Sequence, residues 1–177
     1  PRDGLQNENK IVSLKNKLWL INALVEAGLK RIEAGAFVSP SKVPQMSDSS
    51  NLFKKINGIK SYHETKSGLR FSALVPNLHG LKNAISSGVR EVAVFGSCSE
   101  SFSLKNINCT IAESLTRFRE VLHESQKNRI RVRGYLSTAF GCPYEGKVSL
   151  KKVIALTHKM LDLGVEERQR PRPRFEA

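Results

Sequence analysis

Three times in this chain a helical apolar pattern runs out at a glycine, at Ala27-Gly28, Ser87-Gly88 and Leu163-Gly164. After the first two, a short charged-then-apolar segment begins within a few residues, and the third predicts the same. Glycine ends helices because it enters the left-handed region without a Cβ clash. The repeat that results, strand, loop, helix, glycine, strand, is the rhythm of a parallel α/β protein. It constrains the fold more than any composition figure does.

The helices carry their own periodicity. Leu14, Leu18, Ile21 and Val25 recur at four, three and four residues, the spacing of one helical face, and the same offsets recur at Ile111, Leu115, Phe118 and Leu122. Asp48 or Ser49 is placed to cap a helix running to about Gly58, Asn77 caps one through Leu78, Leu81 and Ile85, and Ser149 caps one built on Val153, Leu156, Met160 and Leu163. Residues 30–38, 70–76, 91–96 and 130–137 read as strands, and 91–96 is almost uninterrupted apolar text, as expected where both faces of a sheet are covered. Polar loops at residues 39–47 and 96–109 follow strands, whereas the helix-to-strand turns are short. A (β/α) barrel keeps its chemistry on the strand-to-helix loops. No G-x-G-x-x-G turn follows a strand, which favours an incomplete (β/α)8 barrel of about five strands over an open doubly wound sheet.

The formal net charge of the 177-residue chain is +13, which raises the question of nucleic acid. Its distribution answers against it. Lysines are spread over helices, as in Lys15 and Lys17, Lys54 and Lys55, or Lys151 and Lys152, and Arg168, Arg170, Arg172 and Arg174 crowd into the last residues. Solvated helix faces explain the rest. No run is apolar enough to cross a membrane, so neither nucleic acid nor membrane is expected as a partner. Cys98, Cys109 and Cys142 are odd in number and form no C-x-x-C pair, which suits reduced thiols in a cytoplasmic compartment. Mitochondrial residence is expected instead if a leader precedes Pro1.

After Gly164 a further strand is due, but Pro171, Pro173 and the four arginines supply neither ladder donors nor apolar surface. The domain is therefore expected to span residues 1–166, with 167–177 as an aberrant tail, the product of truncation or a frameshift. A basic recognition tail is the rival reading.

The opening, Pro1-Arg2-Asp3-Gly4-Leu5-Gln6-Asn7-Glu8, sets a guanidinium beside a carboxylate before the first long helical pattern. Arg2 offers a planar fork of donors to carbonyl or carboxylate oxygens, and Asp3 offers hard oxygens to a divalent cation. Together with Ile32-Glu33-Ala34-Gly35-Ala36-Phe37-Val38-Ser39-Pro40, Val43-Pro44-Gln45-Met46, Arg133-Gly134-Tyr135 and Gly141-Cys142-Pro143-Tyr144-Glu145-Gly146, this string closely resembles hydroxymethylglutaryl-CoA lyase, from residue 1 to about 166.

That resemblance implies a TIM barrel that cleaves 3-hydroxy-3-methylglutaryl-CoA to acetyl-CoA and acetoacetate with Mg²⁺ or Mn²⁺, in leucine degradation and ketone-body formation. It implies an acyl-CoA substrate and a homo-oligomeric full-length enzyme. By the same resemblance Arg2 is catalytic and contacts substrate, Asp3 binds metal, Glu33 orients Arg2, Gln6 binds substrate polar atoms, and Tyr135 lines the pocket. Cys142 lies in the family's earlier, non-catalytic copy of its Gly-Cys-Pro-Tyr text and is expected to be a loop thiol. The metal-binding histidines and asparagine and the catalytic-cysteine loop find no match: His63, His79, His123 and His158 are isolated, with no His-x-His pair. The chain on its own is therefore expected to be inactive and to self-associate through an unclosed sheet. A related isopropylmalate or homocitrate synthase, or a non-catalytic interaction protein, remains the alternative.

Overall fold

The computed structural model describes residues 1–59, 62 and 68–165, so His63 and the tail at 167–177 lie outside the described residues. Arg2–Gln6 form a short helix, α1, closed by Leu5 N–H on the Pro1 carbonyl at 2.9 Å. Helix α2 (Leu14–Glu26) begins where the Ser13 hydroxyl accepts from Asn16 N–H, and Gly28 ends it at a φ of 88°. Strand β1 (Arg31–Ala36) follows, then a 3-10 turn at Pro44–Met46 and helix α3 (Ser49–Asn57). The pattern continues with β2 (Arg70–Leu74), α4 (Leu78–Ser86), β3 (Glu91–Ser97), α5 (Glu100–Ile107), α6 (Ile111–Lys127), β4 (Arg131–Ser137) and α7 (Leu150–Asp162).

The four strands are parallel and lie in chain order, β1-β2-β3-β4. A doubly wound sheet reverses its order at a switch point, and its ligand crevice forms there. Among the described residues no reversal occurs, which is the order of a barrel wall. The described residues form four strands where the sequence suggests about five.

Two further expectations are corrected. Residues 96–109 are not all loop: the Ser99 hydroxyl accepts from Phe102 N–H and starts α5, which stops at Asn108 in the left-handed region. Asp48 precedes α3 without a side-chain capping bond, because its carboxylate is taken by Lys17 at 2.6 Å.

The register sorts side chains by face. On the side away from the helices, Glu33 is level with Ser72, Glu91 with Arg131, Ala93 with Arg133, and Phe95 with Tyr135. The opposite face carries Ala34, Ala73, Val92, Val94 and Val132, which pack against Ile21, Leu52, Phe53, Leu81, Phe118, Val121 and Met160 from the helices. This apolar layer is the main core and the principal source of stability. A second, smaller cluster of Cys98, Ile111, Cys142, Val148 and Leu156 seats the loop after β4.

Close approach dictates Gly35. A Cβ there would lie 2.8 Å from the Ser49 hydroxyl, which accepts from Ala36 N–H and donates to the Met46 carbonyl. The bare backbone lets α3 dock on the end of β1, with a register shift between Glu33 and Gly35.

Candidate active site

The residues singled out in sequence, Arg2, Asp3, Gln6, Glu33 and Tyr135, come from three elements, α1, β1 and β4, and meet in one place. The Arg2 guanidinium is buried, at 8% exposure, and its donors are spoken for on two sides. Nε donates to Glu33 Oε1 at 2.6 Å, Nη2 lies 2.6 Å from the same oxygen, and Nη1 donates to Asp3 Oδ1 at 2.9 Å and Gln6 Oε1 at 3.2 Å. The second Glu33 oxygen, Oε2, accepts the Tyr135 hydroxyl at 2.9 Å across 102 residues of sequence. A guanidinium tied by several charge-assisted bonds keeps one orientation, which is what a fixed electrostatic donor needs.

Arg2, Asp3, Glu33 and Tyr135 line a cavity of about 480 Å³ with Phe95, Leu136 and Ser137, whereas Gln6 touches Arg2 from outside that lining. Burial, and then the neighbouring Glu33 carboxylate, pushes the Tyr135 phenol above its ordinary pKa, so Tyr135 stays a hydrogen-bond donor through the neutral range. The Arg133 guanidinium lies 5.3 Å from the Tyr135 ring and helps to fix it.

Asp3 is the exception to burial. Its side chain is 82% exposed at the cavity lip, and one of its oxygens already accepts from Arg2. Among the described residues no three His, Cys, Asp or Glu groups converge on a point suited to a metal ion. One carboxylate does not make the near-octahedral oxygen shell that Mg²⁺ demands, so the described residues do not by themselves fit a metal centre.

His79, His123 and His158 are all exposed on helices. Cys142 is buried away from this cavity. Its sulfur lies 2.9 Å from the Ser99 hydroxyl and accepts Tyr144 N–H at 3.3 Å, and its backbone pairs with Gly146. It pins a loop. Phe95 and Ser137 were not singled out from sequence. The period of two along β4 carries Ser137 to the same face as Tyr135 and Arg133, but in β3 the apolar run Val92-Ala93-Val94-Phe95 hides the alternation.

Two further contacts position α1. The Gln45 side-chain oxygen accepts Val12 N–H at 3.0 Å, while its amide donates to the Glu8 and Lys10 carbonyls at 3.2 and 2.6 Å. The Lys17 ammonium, 3% exposed, reaches the Gln45 carbonyl and the Asp48 carboxylate. The segment joining α1 to α2 is thereby strapped to the loop after β1.

Four parallel strands in sequential order, with a guanidinium–carboxylate–phenol chain at one end of their concave face, define part of a (β/α) barrel. The chain belongs to the HMGL-like family, whose model matches residues 1–170. It is 49% identical to the mitochondrial hydroxymethylglutaryl-CoA lyase of Pongo abelii over 94% of this chain and 49% of that protein. The crystal structure of hydroxymethylglutaryl-CoA lyase from Pseudomonas aeruginosa superposes with a TM-score of 0.85 at 45% identity, covering 94% of this chain and 53% of that one. The structure of an HMG-CoA lyase from Acinetobacter baumannii in complex with coenzyme A and 3-methylmalate matches with a TM-score of 0.83 at 36% identity, covering 93% and 52%. The chain spans about half the length of the curated relatives it matches. Those relatives carry both mitochondrial and cytoplasmic names, and the family generally depends on a divalent metal.

Proposed function

We propose that this chain carries one wall of a site that cleaves 3-hydroxy-3-methylglutaryl-CoA to acetyl-CoA and acetoacetate. The observation that carries the proposal is the fixed guanidinium: Arg2 is buried, aimed into the cavity and held in place by Glu33, which Tyr135 holds in turn. In the reaction the tertiary hydroxyl loses its proton and its carbon becomes the ketone of acetoacetate. The bond to the carbon next to the thioester breaks, its electron pair becomes the enolate of acetyl-CoA, and a proton returns to that carbon. Negative charge therefore grows on the thioester oxygen, and a pre-oriented cation beside it interacts more strongly with the transition state than with the substrate.

In this reading Arg2 is the catalytic cation and binds the acyl group. Glu33 keeps the guanidinium in one plane and offsets its charge, and Tyr135 fixes the Glu33 carboxylate while forming one wall of the pocket. Gln6 is placed to exchange its bond with Arg2 for one with substrate polar atoms. In the same reading Asp3 is the residue of this chain that gives an oxygen to Mg²⁺ or Mn²⁺. The acyl-CoA thioester is the substrate class, supported by the coenzyme A bound in the related structure. The names of the relatives support either a mitochondrial or a cytoplasmic setting.

The test is a chimera in which residues 1–165 replace the matching part of the Pseudomonas aeruginosa lyase, assayed for acetoacetate release from the CoA thioester. Arg2→Gln and Asp3→Ala are each expected to abolish turnover, and Glu33→Gln to lower kcat more than it raises KM. A folded chimera that keeps its turnover with Arg2→Gln overturns the role given to Arg2.

A further inference from the structure

Among the described residues three that are not glycine take a positive φ: Asn108, Arg129 and Thr138. Asn108 closes α5 and Arg129 follows the C-cap of α6, places where a left-handed residue is ordinary. Thr138 is different. It follows the last residue of β4 at a φ of 55°, a region that β-branched side chains resist strongly. A strained residue persists only where its surroundings over-determine it, and such residues gather at functional sites.

Here the surroundings are two side-chain pairs that join the end of β4 to the turn between β3 and α5. Thr138 Oγ1 donates to the Ser137 carbonyl at 2.7 Å and lies 2.9 Å from the Ser97 hydroxyl. Ser97 is buried and accepts Ser99 N–H at 3.0 Å. Further on, the Cys142 sulfur meets the Ser99 hydroxyl, so the chain between is drawn to the start of α5. Ser137 itself is held twice: its hydroxyl donates to the Gly96 carbonyl at 3.2 Å, and its carbonyl accepts Cys98 N–H at 3.0 Å. Along β4 the lining of the Arg2 cavity is Tyr135, Leu136 and Ser137, and it stops at the turn.

We propose that Thr138 is a positioning residue whose left-handed turn fixes Ser137 as the end of the β4 wall and steers the following loop away from the mouth of the Arg2 cavity. An extended residue at 138 would carry the chain straight on from β4, and Cys142 would lose its reach to Ser99. Loosening the end of β4 also reaches the guanidinium, because Tyr135, three residues earlier, holds Glu33 and Glu33 holds Arg2. The requirement lies in the backbone, and the hydroxyl serves to hold it there. The effect on turnover rests on the lyase reading, whereas the turn does not. All of its partners lie on β3, β4 and the turns that follow them.

The test compares Thr138→Val, Thr138→Asn and Thr138→Gly. Valine keeps the shape of threonine but removes Oγ1, while asparagine and glycine enter the left-handed region without needing the clamp. A packing role ranks valine best and glycine worst, and the turn ranks them the other way round. The first readout is maleimide labelling of Cys142 in the 177-residue chain, resolved from the other thiols by peptide mapping. Cys142 is buried, and its labelling is expected to quicken about tenfold in Thr138→Val, a local opening, and to stay slow in the other two. The second readout is kcat for acetoacetate release in the chimera, expected to fall about tenfold with valine and to stay within about threefold with asparagine and glycine. Labelling that is no faster with valine than with asparagine and glycine overturns the proposal. Faster labelling with kcat unchanged overturns it too, since Thr138 would then hold only its loop. If circular dichroism shows Thr138→Val unfolded, fast labelling in the asparagine and glycine variants still overturns it. A parent chimera without turnover counts against the lyase reading, and the labelling order then decides the turn.

Discussion

The pair formed by Lys17 and Asp48 yields an asymmetry that can be measured. Asp48→Ala leaves an ammonium 3% exposed with one remaining partner, the Gln45 carbonyl. Breaking a buried pair from one side costs about 3–5 kcal/mol, and because the Asp48 side chain is 26% exposed the lower end applies, about 3 kcal/mol. Lys17→Met removes the buried charge itself and keeps an unbranched chain in the space. What it strands is a carboxylate that water reaches and one carbonyl, at a cost of about 1 kcal/mol. Urea unfolding followed by circular dichroism resolves the two. With a slope of about 2 kcal/mol per molar, the midpoint falls by about 1.5 M for Asp48→Ala and about 0.5 M for Lys17→Met. Fluorescence is the poorer probe, since Trp19 is 70% exposed in the native state. Equal losses, or a larger loss for Lys17→Met, would refute the argument that an orphaned buried cation dominates.

Other perturbations have equally direct readings. The Tyr135 phenol is pushed above its ordinary value of 10.0, so its contribution to stability is complete below pH 10 and is lost as pH rises through the folded-state value. Tyr135→Phe should flatten that alkaline decline, and unfolding curves at pH 9 and 11 check it. Thr110 closes a capping box with Glu113 at the start of α6, and Thr110→Ala is expected to cost about 1 kcal/mol in the same urea assay. The 177-residue polypeptide should self-associate through its sheet edges and the fully exposed Phe140. Sedimentation velocity that finds only monomer at every ionic strength would contradict this.

The helices were legible because their signals are local. Asn77 and Ser149 each accept the expected backbone N–H, at Gly80 and Lys152, and Gly28, Gly88 and Gly164 all take positive φ. The α5 helix was not, since its apolar residues Phe102, Leu104 and Ile107 give no sustained stripe in so short and polar a segment. Asp48 illustrates a different limit. A cap is a local preference, and a buried ammonium 31 residues away outbid it. At the site, long strings sharing a family resemblance marked Arg2, Glu33 and Tyr135, and the fold brought them together. The arginines at the opposite end of the sheet were invisible as a group, because Arg31, Arg70, Arg131 and Arg133 are 102 residues apart at their extremes and only strand register sets them level.

The bond between Glu33 and Tyr135 joins the first strand of the sheet to the fourth. Laid flat, those strands would stand about 14 Å apart, three interstrand spacings. A direct 2.9 Å hydrogen bond between their side chains therefore acts as a chord across an arc, and Arg2, clamped to the same carboxylate, hangs from it. The curvature of the wall and the aim of the guanidinium are thus one mechanical quantity. Any change that flattens the sheet should turn Arg2 away from its cavity before it disturbs the core.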